Sequence, residues 1–267
     1  MATRAPKPPA TQAAFVLHHY DWSETSLVLD LFSREHGRLA VVAKGAKRPY
    51  SQLRSVLLPF LRLQVTLSKP SKMNEDGAAE VQSLRGAEWV GGQTLPSGAA
   101  LFSGYYVNEL LLKFLPRQDA QPELFDAYAA LLPQLRSVDD AHAALRAFEL
   151  KMLSICGLLP DLSVLSTTQA PLDPDRLYLL APESGVVVPV HDAPPQTGIT
   201  GLTGLTGQAF IQLQAALLHG SQAALQQACE LAGPALKPLA RALLHYHLGH
   251  RPLRTRQVLL DVQKLLT

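Results

Sequence analysis

A chain of 267 residues, 47% hydrophobic and 17% charged, is long enough for two cores and too apolar for a disordered segment. Its apolar runs fall well short of the roughly 18 residues that span a bilayer, and no apolar run follows the cations of the first residues, so neither a membrane span nor a secretory signal is expected. Two cysteines, Cys156 and Cys229, suit neither a disulfide framework nor a four-thiolate zinc site, and a reducing cytoplasm is the expected compartment.

The net charge of +2 conceals a division along the chain. From Arg34 to Lys72 nine basic residues stand against the single acid Glu35, a local charge of +8; from Met73 to Gly233 the balance is −10, and from Pro234 to Thr267 it returns to +5. A concentrated cationic stretch early in the chain points to a polyanionic partner, or else to a solvated basic surface.

In chain order, Ala14 to Tyr20 and Ser26 to Phe32 are β-rich runs, and Arg38 to Ala43 follows a turn centred on Gly37, which is a hairpin signal. Lys44 to Tyr50, with three cations, a Gly and a Pro, reads as a loop. Leu61, Leu63, Val65 and Leu67 alternate within a strand expected over 56–67, where Pro59 marks an edge or bulge, and 80–90 supplies a last strand. Five short strands without a long helix predict a small closed barrel, and periodicity leaves an SH3-like barrel open beside other kinds.

Beyond this the period changes. Residues 97–115 predict a helix with Ser97 as N-cap, Pro116 as stop, and Leu101, Tyr105, Asn108, Leu112 and Leu115 near one face. Further helices are expected over 123–135, 141–156, 206–218, 221–231, 234–248 and 254–266, with Thr206 and Ser221 at cap positions. Between them the Pro- and Gly-rich stretch 163–207 holds two short strand-like runs, at Arg176 and at Gly185, that could pair as a hairpin. The expected organisation is a flexible N-terminus (1–12), a barrel domain (13–92) and a mainly α-helical domain (93–267) carrying the partly β insertion at 163–207.

Catalytic constellations are weak. Lys44-Gly45-Ala46-Lys47 lacks the spacing of a triphosphate-binding loop, and the glycines between Gly198 and Gly207 fit a flexible connection better than a phosphate cradle. His245, His247 and His250 do not share one helical face, and His18-His19 on a strand point to opposite sides. Cys156 and Cys229 read as small core residues. No catalytic residue, metal or cofactor is expected, and an enzyme is the least favoured class.

The runs Phe15-Val-Leu-His, Trp22-Ser-Glu-Thr-Ser-Leu-Val-Leu-Asp-Leu-Phe and Gly37-Arg-Leu-Ala-Val-Val-Ala-Lys-Gly-Ala-Lys-Arg resemble the opening of the recombination mediator RecO family. Tyr106-Val-Asn-Glu-Leu-Leu, Leu145-Arg-Ala-Phe-Glu-Leu, Ala235-Leu-Lys-Pro-Leu and Arg251-Pro-Leu-Arg-Thr-Arg-Gln-Val-Leu carry the resemblance onward in order, while 163–207 matches poorly. The resemblance implies an α+β multidomain protein, an N-terminal OB-fold barrel followed by a helical domain. It implies a bacterial, cytoplasmic repair protein, nucleoid-associated when engaged, that binds single- and double-stranded DNA. Such a protein anneals strands coated with single-stranded-DNA-binding protein and, with RecR, helps load RecA. Some members hold a four-cysteine zinc site in the helical domain; 163–185 has no cysteine here, so a hairpin is expected there in its place.

An OB barrel with a cationic face tracks a phosphate backbone, and Arg34, Arg38, Lys44, Lys47, Arg48 and Arg54 are the expected contacts, with Tyr50 a stacking candidate. Trp22 also enters as a stacking candidate, but packing at a strand end is the favoured reading for it. If four to six phosphates are neutralised, the log–log salt slope on single strands is about −3 to −4. In related proteins the acidic C-terminal tail of single-stranded-DNA-binding protein docks on the helical domain. Arg146 in the matching motif, with Leu145 beside it, is the candidate here, against a plain ion pair with Glu149 or Asp139. A protein-interaction adaptor with little direct DNA role is the alternative, in which the helical domain does the main work and the basic loop merely supports solubility; loss of annealing but not of partner binding on loop neutralisation separates the two.

Overall fold

The computed structural model describes residues 11–68, 81–92, 95–189, 204–249 and 252–266. Lys69 and Lys72 of the basic stretch, His250, Arg251, most of the N-terminus expected to be flexible and most of the glycine run before Gly207 lie outside them. The chain divides into two compact units, residues 1–133 and 134–267, so the first takes in two helices beyond the change from strand to helix near residue 92.

In the first unit, β1 (Thr11–Asp21), β2 (Leu27–Ser33), β3 (Gly37–Ala43), β4 (Leu63–Leu67) and β5 (Gln82–Trp89) close into a barrel in the order β1-β2-β3-β5-β4. β1 pairs antiparallel with both β2 and β4, and the one parallel pairing, β3 with β5, closes the ring. This is the five-stranded OB-like arrangement, which decides what periodicity left open. Alternation fills its interior: Val16, Leu29, Leu31, Val41, Leu63 and Val65 are fully buried in one cluster, each contributing about 1.5–3 kcal/mol of apolar burial. The β2–β3 hairpin turns at Gly37, whose φ of +66° suits glycine. A Cβ there would also strike the carbonyl of Asp119.

The strand expected over 56–67 starts later. Residues Leu53–Val56 form a single helical turn (α1), Pro59 makes only an isolated bridge to Val16, and Phe60 takes a φ of +71°. A proline without an amide hydrogen followed by left-handed backbone interrupts the ladder until Leu63.

Helix α2 (Ala99–Phe114) also departs from its expected details. Gly98, not Ser97, is the N-cap, and no side chain caps the first turn. The buried residues are Gly104, Val107, Asn108, Leu110 and Leu111, while Tyr105 is exposed. The face is rotated because the missing Cβ of Gly104 admits the Phe60 ring, which would otherwise lie 2.8 Å from it. Asn108 is buried with both ends of its amide engaged: its Nδ2 donates to the Leu17 carbonyl at 3.0 Å and its Oδ1 accepts the Tyr128 hydroxyl at 2.6 Å. Tyr128 comes from α3 (Pro122–Gln134), where it and Phe125 meet the Phe15 ring at centroid distances of 4.9 and 5.1 Å. Burial pushes the Tyr128 phenol far above its ordinary range.

In the second unit, α4 (Val138–Ile155) packs with α6 (Gln222–Ala232) and α7 (Leu236–His247), and α5 (Gly207–His219) with α6. Thr206 and Ser221 cap α5 and α6 as the sequence predicts, their side chains accepting from Ala209 and Ala224 amides at 3.3 Å. A three-residue 3-10 turn, Gly233–Ala235, leads into α7, and α8 (Arg254–Leu266) ends the chain. The expected hairpin is β6 (Leu177–Ala181) against β7 (Gly185–Val187), with β8 (Leu205–Thr206) on the other side of β6. It is held by its own pairing and by the Ser166 hydroxyl, which accepts the Val186 amide at 2.9 Å. Among the described residues no helix is long and apolar enough to cross a membrane.

Candidate nucleic-acid interface

The cations expected to contact DNA fall into three groups by what they meet. Arg38, in the middle of the β2–β3 hairpin, departs from the expected DNA contacts: its side chain is only 15% exposed and turns inward. Its Nη1 donates to the carbonyls of Leu112 and Leu115 at the end of α2, the latter at 3.0 Å, and its Nε lies 3.6 Å from Asp30. Arg117 meets the same buried Asp30 at 3.0 Å. Burial lowers the Arg38 pKa, Asp30 opposes that pull, and the neighbouring Arg117 adds to it. The guanidinium thus supplies the orphan carbonyls at a helix C-terminus and neutralises a buried carboxylate.

Arg34 and Lys47 are half-way cases. Arg34 forks onto Asp126 through two hydrogen bonds of 2.9 and 2.8 Å yet stays 43% exposed. The hydrogen bonds from Arg34 hold the Asp126 carboxyl below the usual carboxylate range. Lys47 Nζ reaches Asp21 and the Ser23 carbonyl, both at 3.1 Å.

Lys44, Arg48 and Arg54 form the third group, exposed and without an ion pair among the described residues. The loop that carries them is ordered by its own turns: the amides of Arg48, Ser51 and Arg54 donate to the carbonyls of Gly45, Arg48 and Ser51, each three residues back, at 3.1, 3.0 and 3.2 Å. Gly45 starts this train with a φ of +72°. Ala46 anchors it by burying its methyl in the barrel core, and the Lys47 amide fastens it to the Thr25 carbonyl at 2.9 Å. Lys44, Gly45, Arg48, Pro49, Tyr50 and Ser51 line an open cleft of about 480 Å³. Tyr50 is 99% exposed. A fixed row of free cations beside a solvent-facing ring has the chemistry to hold a phosphate backbone and stack on a base.

Trp22 corrects the sequence reading. It does not pack at its strand end but is 69% exposed on the β1–β2 turn. Hydrophobicity alone argued for burial; the short turn 22–26, closed between Trp22, Ser23 and Ser26, gives the indole no wall to lie against.

In the second unit Arg146 is 14% exposed and donates from Nη2 to Glu149 Oε1 at 2.5 Å, one of the two ion pairs weighed for it. Leu145 is buried beside it along α4. Cys229 lies near both charges, and its thiol is pushed up to about 12, chiefly by burial.

An OB-like barrel that holds unpaired cations on an ordered loop, followed by a helical unit, defines a small-barrel protein of the polyanion-binding kind. Comparison with known families is more specific. The model of the recombination protein O N-terminal domain matches residues 9–87, and that of its C-terminal domain matches residues 96–257. The chain is 46% identical over 261 residues to the DNA repair protein RecO of Polaromonas naphthalenivorans (strain CJ2), covering 96% of this chain and 98% of that protein. It is 46% identical over 261 residues to the DNA repair protein RecO of Paracidovorax citrulli (strain AAC00-1), covering 95% and 97%, and 44% identical over 264 residues to that of Verminephrobacter eiseniae (strain EF01-2), covering 98% and 99%. The chain belongs to the RecO family of DNA repair proteins.

Proposed function

We propose that this protein is a non-enzymatic mediator of recombinational repair. It binds single- and double-stranded DNA, anneals complementary strands coated with single-stranded-DNA-binding protein and, with RecR, promotes RecA loading in the bacterial cytoplasm, at the nucleoid when engaged. The observation that carries the DNA contact is the ordered loop 44–54, on which Lys44, Arg48 and Arg54 keep their charge unpaired among the described residues. Two strands repel each other as polyanions. A surface that neutralises both backbones lowers their encounter barrier without bond making or breaking. Lys44, Arg48 and Arg54 make the main backbone contacts, and Tyr50 stacks on a base. Arg34 and Lys47 add less because each already holds a carboxylate, and Arg38 serves the fold.

The test is annealing of two complementary oligonucleotides precoated with the cognate single-stranded-DNA-binding protein. The wild type is compared with a variant in which Lys44, Arg48 and Arg54 are alanine, its fold checked by circular dichroism. Annealing by the wild type alone is expected. Equal annealing by both removes this loop from the mechanism. Retained partner binding beside lost annealing separates the reading from that of an adaptor.

The same proposal places the acidic tail of single-stranded-DNA-binding protein at Arg146, with Leu145 beside it, as an exchange: the tail carboxylate takes the position of Glu149 Oε1. Glu149→Gln should then tighten binding of a fluorescent tail peptide, and Arg146→Ala should weaken it with naked-DNA binding unchanged. No response to either substitution puts the tail elsewhere.

A further inference from the structure

We infer that Trp22 is a base-stacking subsite for unpaired nucleotides, coupled to the 44–54 loop, and that it gives this surface a preference for single-stranded over duplex DNA. The inference rests on the DNA-binding reading above and adds to it the residue that tells the two substrates apart.

The indole is presented rather than merely uncovered. The turn beneath it is closed by the amides of Trp22 and Ser23 on the Ser26 carbonyl, at 3.2 and 3.4 Å, and by the Ser26 amide on the Ser23 hydroxyl at 3.2 Å. This turn is fastened to the cationic loop at two points, both made by Lys47: its amide to the Thr25 carbonyl at 2.9 Å and its ammonium to the Ser23 carbonyl at 3.1 Å. The ammonium also meets Asp21 at 3.1 Å, the residue just before the tryptophan. Lys47 stands between Lys44 and Arg48 in the chain, so the turn that bears Trp22 is bound to the middle of the row of free cations. One exposed aromatic, Tyr50 at 99%, thus stands within the cationic loop, and another, Trp22 at 69%, on the turn fastened to it.

An exposed indole gains little from a duplex, whose base faces already stack on each other. A single strand offers free faces, and each stacked base is worth about 5- to 150-fold in affinity. Phosphates on Lys44 and Arg48 would bring the strand to the loop; the rings would then sort unpaired from paired.

The full-length protein is titrated at one salt concentration with three probes: a short oligo(dT), an abasic strand of the same length and charge, and a blunt duplex. Trp22→Ala should weaken oligo(dT) binding at least about fivefold while leaving abasic and duplex binding and the salt slope unchanged, and Trp22→Phe should restore most of the loss. The chain has two tryptophans, so in a Trp89→Phe background oligo(dT), but not the abasic strand, should quench the fluorescence of Trp22. An equal loss on all three probes, no loss on any, or equal wild-type affinity for oligo(dT) and abasic strand overturns the inference and leaves the electrostatic reading intact. A wild type that binds none of the probes overturns the DNA-binding reading, and this inference with it.

Discussion

On the β2–β3 hairpin, Arg34 and Arg38 each meet a carboxylate, and Arg38 also caps the carbonyls at the end of α2. On the loop that follows β3, Lys44, Arg48 and Arg54 meet no carboxylate among the described residues. Both regions supply cations, but residues 27–43 set two arginines against Asp30 and Glu35, whereas residues 44–54 hold four cations and no acid. They differ also in what the fold places opposite: the hairpin faces acids on β2 and α3 and a helix terminus, whereas the loop is anchored underneath by Ala46 and, apart from Lys47 on Asp21, its cations meet no carboxylate among the described residues. A cation engaged inside the molecule stabilises the fold and is withdrawn from a ligand; one left in solvent does the reverse.

The largest effect is expected at Arg38. Arg38→Ala leaves Asp30 with Arg117 alone and two carbonyls without their donor, and should lower stability by about 2–4 kcal/mol. Urea denaturation should report that loss while the folded fraction keeps wild-type DNA affinity. A stable Arg38→Ala protein with weakened DNA binding would move Arg38 to the loop's side of the comparison. The smallest effect is expected at Arg34. Because Asp126 holds its proton less tightly in the folded state than in the unfolded one, the pair's contribution is present above the ordinary carboxylate range and fades as pH falls through the lowered value. Arg34→Ala should therefore lower the melting temperature slightly at neutral pH and not at all at strongly acidic pH, read from melting curves across that range. The effect is small because both side chains are solvent-screened.

The strands of the hairpin, the turn at Gly37 and the caps at Thr206 and Ser221 were legible because short-range rules determine them: alternation, left-handed glycine, a hydroxyl three residues before an amide. The late start of β4 was not, because the left-handed backbone at Phe60 follows from no residue preference. The buried face of α2 depends on a ring from another element entering at Gly104, and Asn108 is buried only because Leu17 and Tyr128 lie opposite it. Within the candidate site the basic stretch was visible as composition. Its sorting into engaged and free cations needed Asp30, Asp126 and the end of α2, all supplied by tertiary contacts. Trp22 was misread for a related reason, since hydrophobicity gives the cost of exposing an indole and not whether the fold has a wall for it.

If free charge rather than total charge contacts DNA, the salt dependence of single-strand binding reports it most directly. Each neutralised phosphate contributes about −0.7 to the log–log slope on single strands, so alanine at Lys44, Arg48 and Arg54 together should make the slope shallower by about 2, whereas Arg34→Ala should leave it nearly unchanged. A triple variant that keeps the wild-type slope, or an Arg34→Ala variant that loses as much as the triple one, would contradict the account.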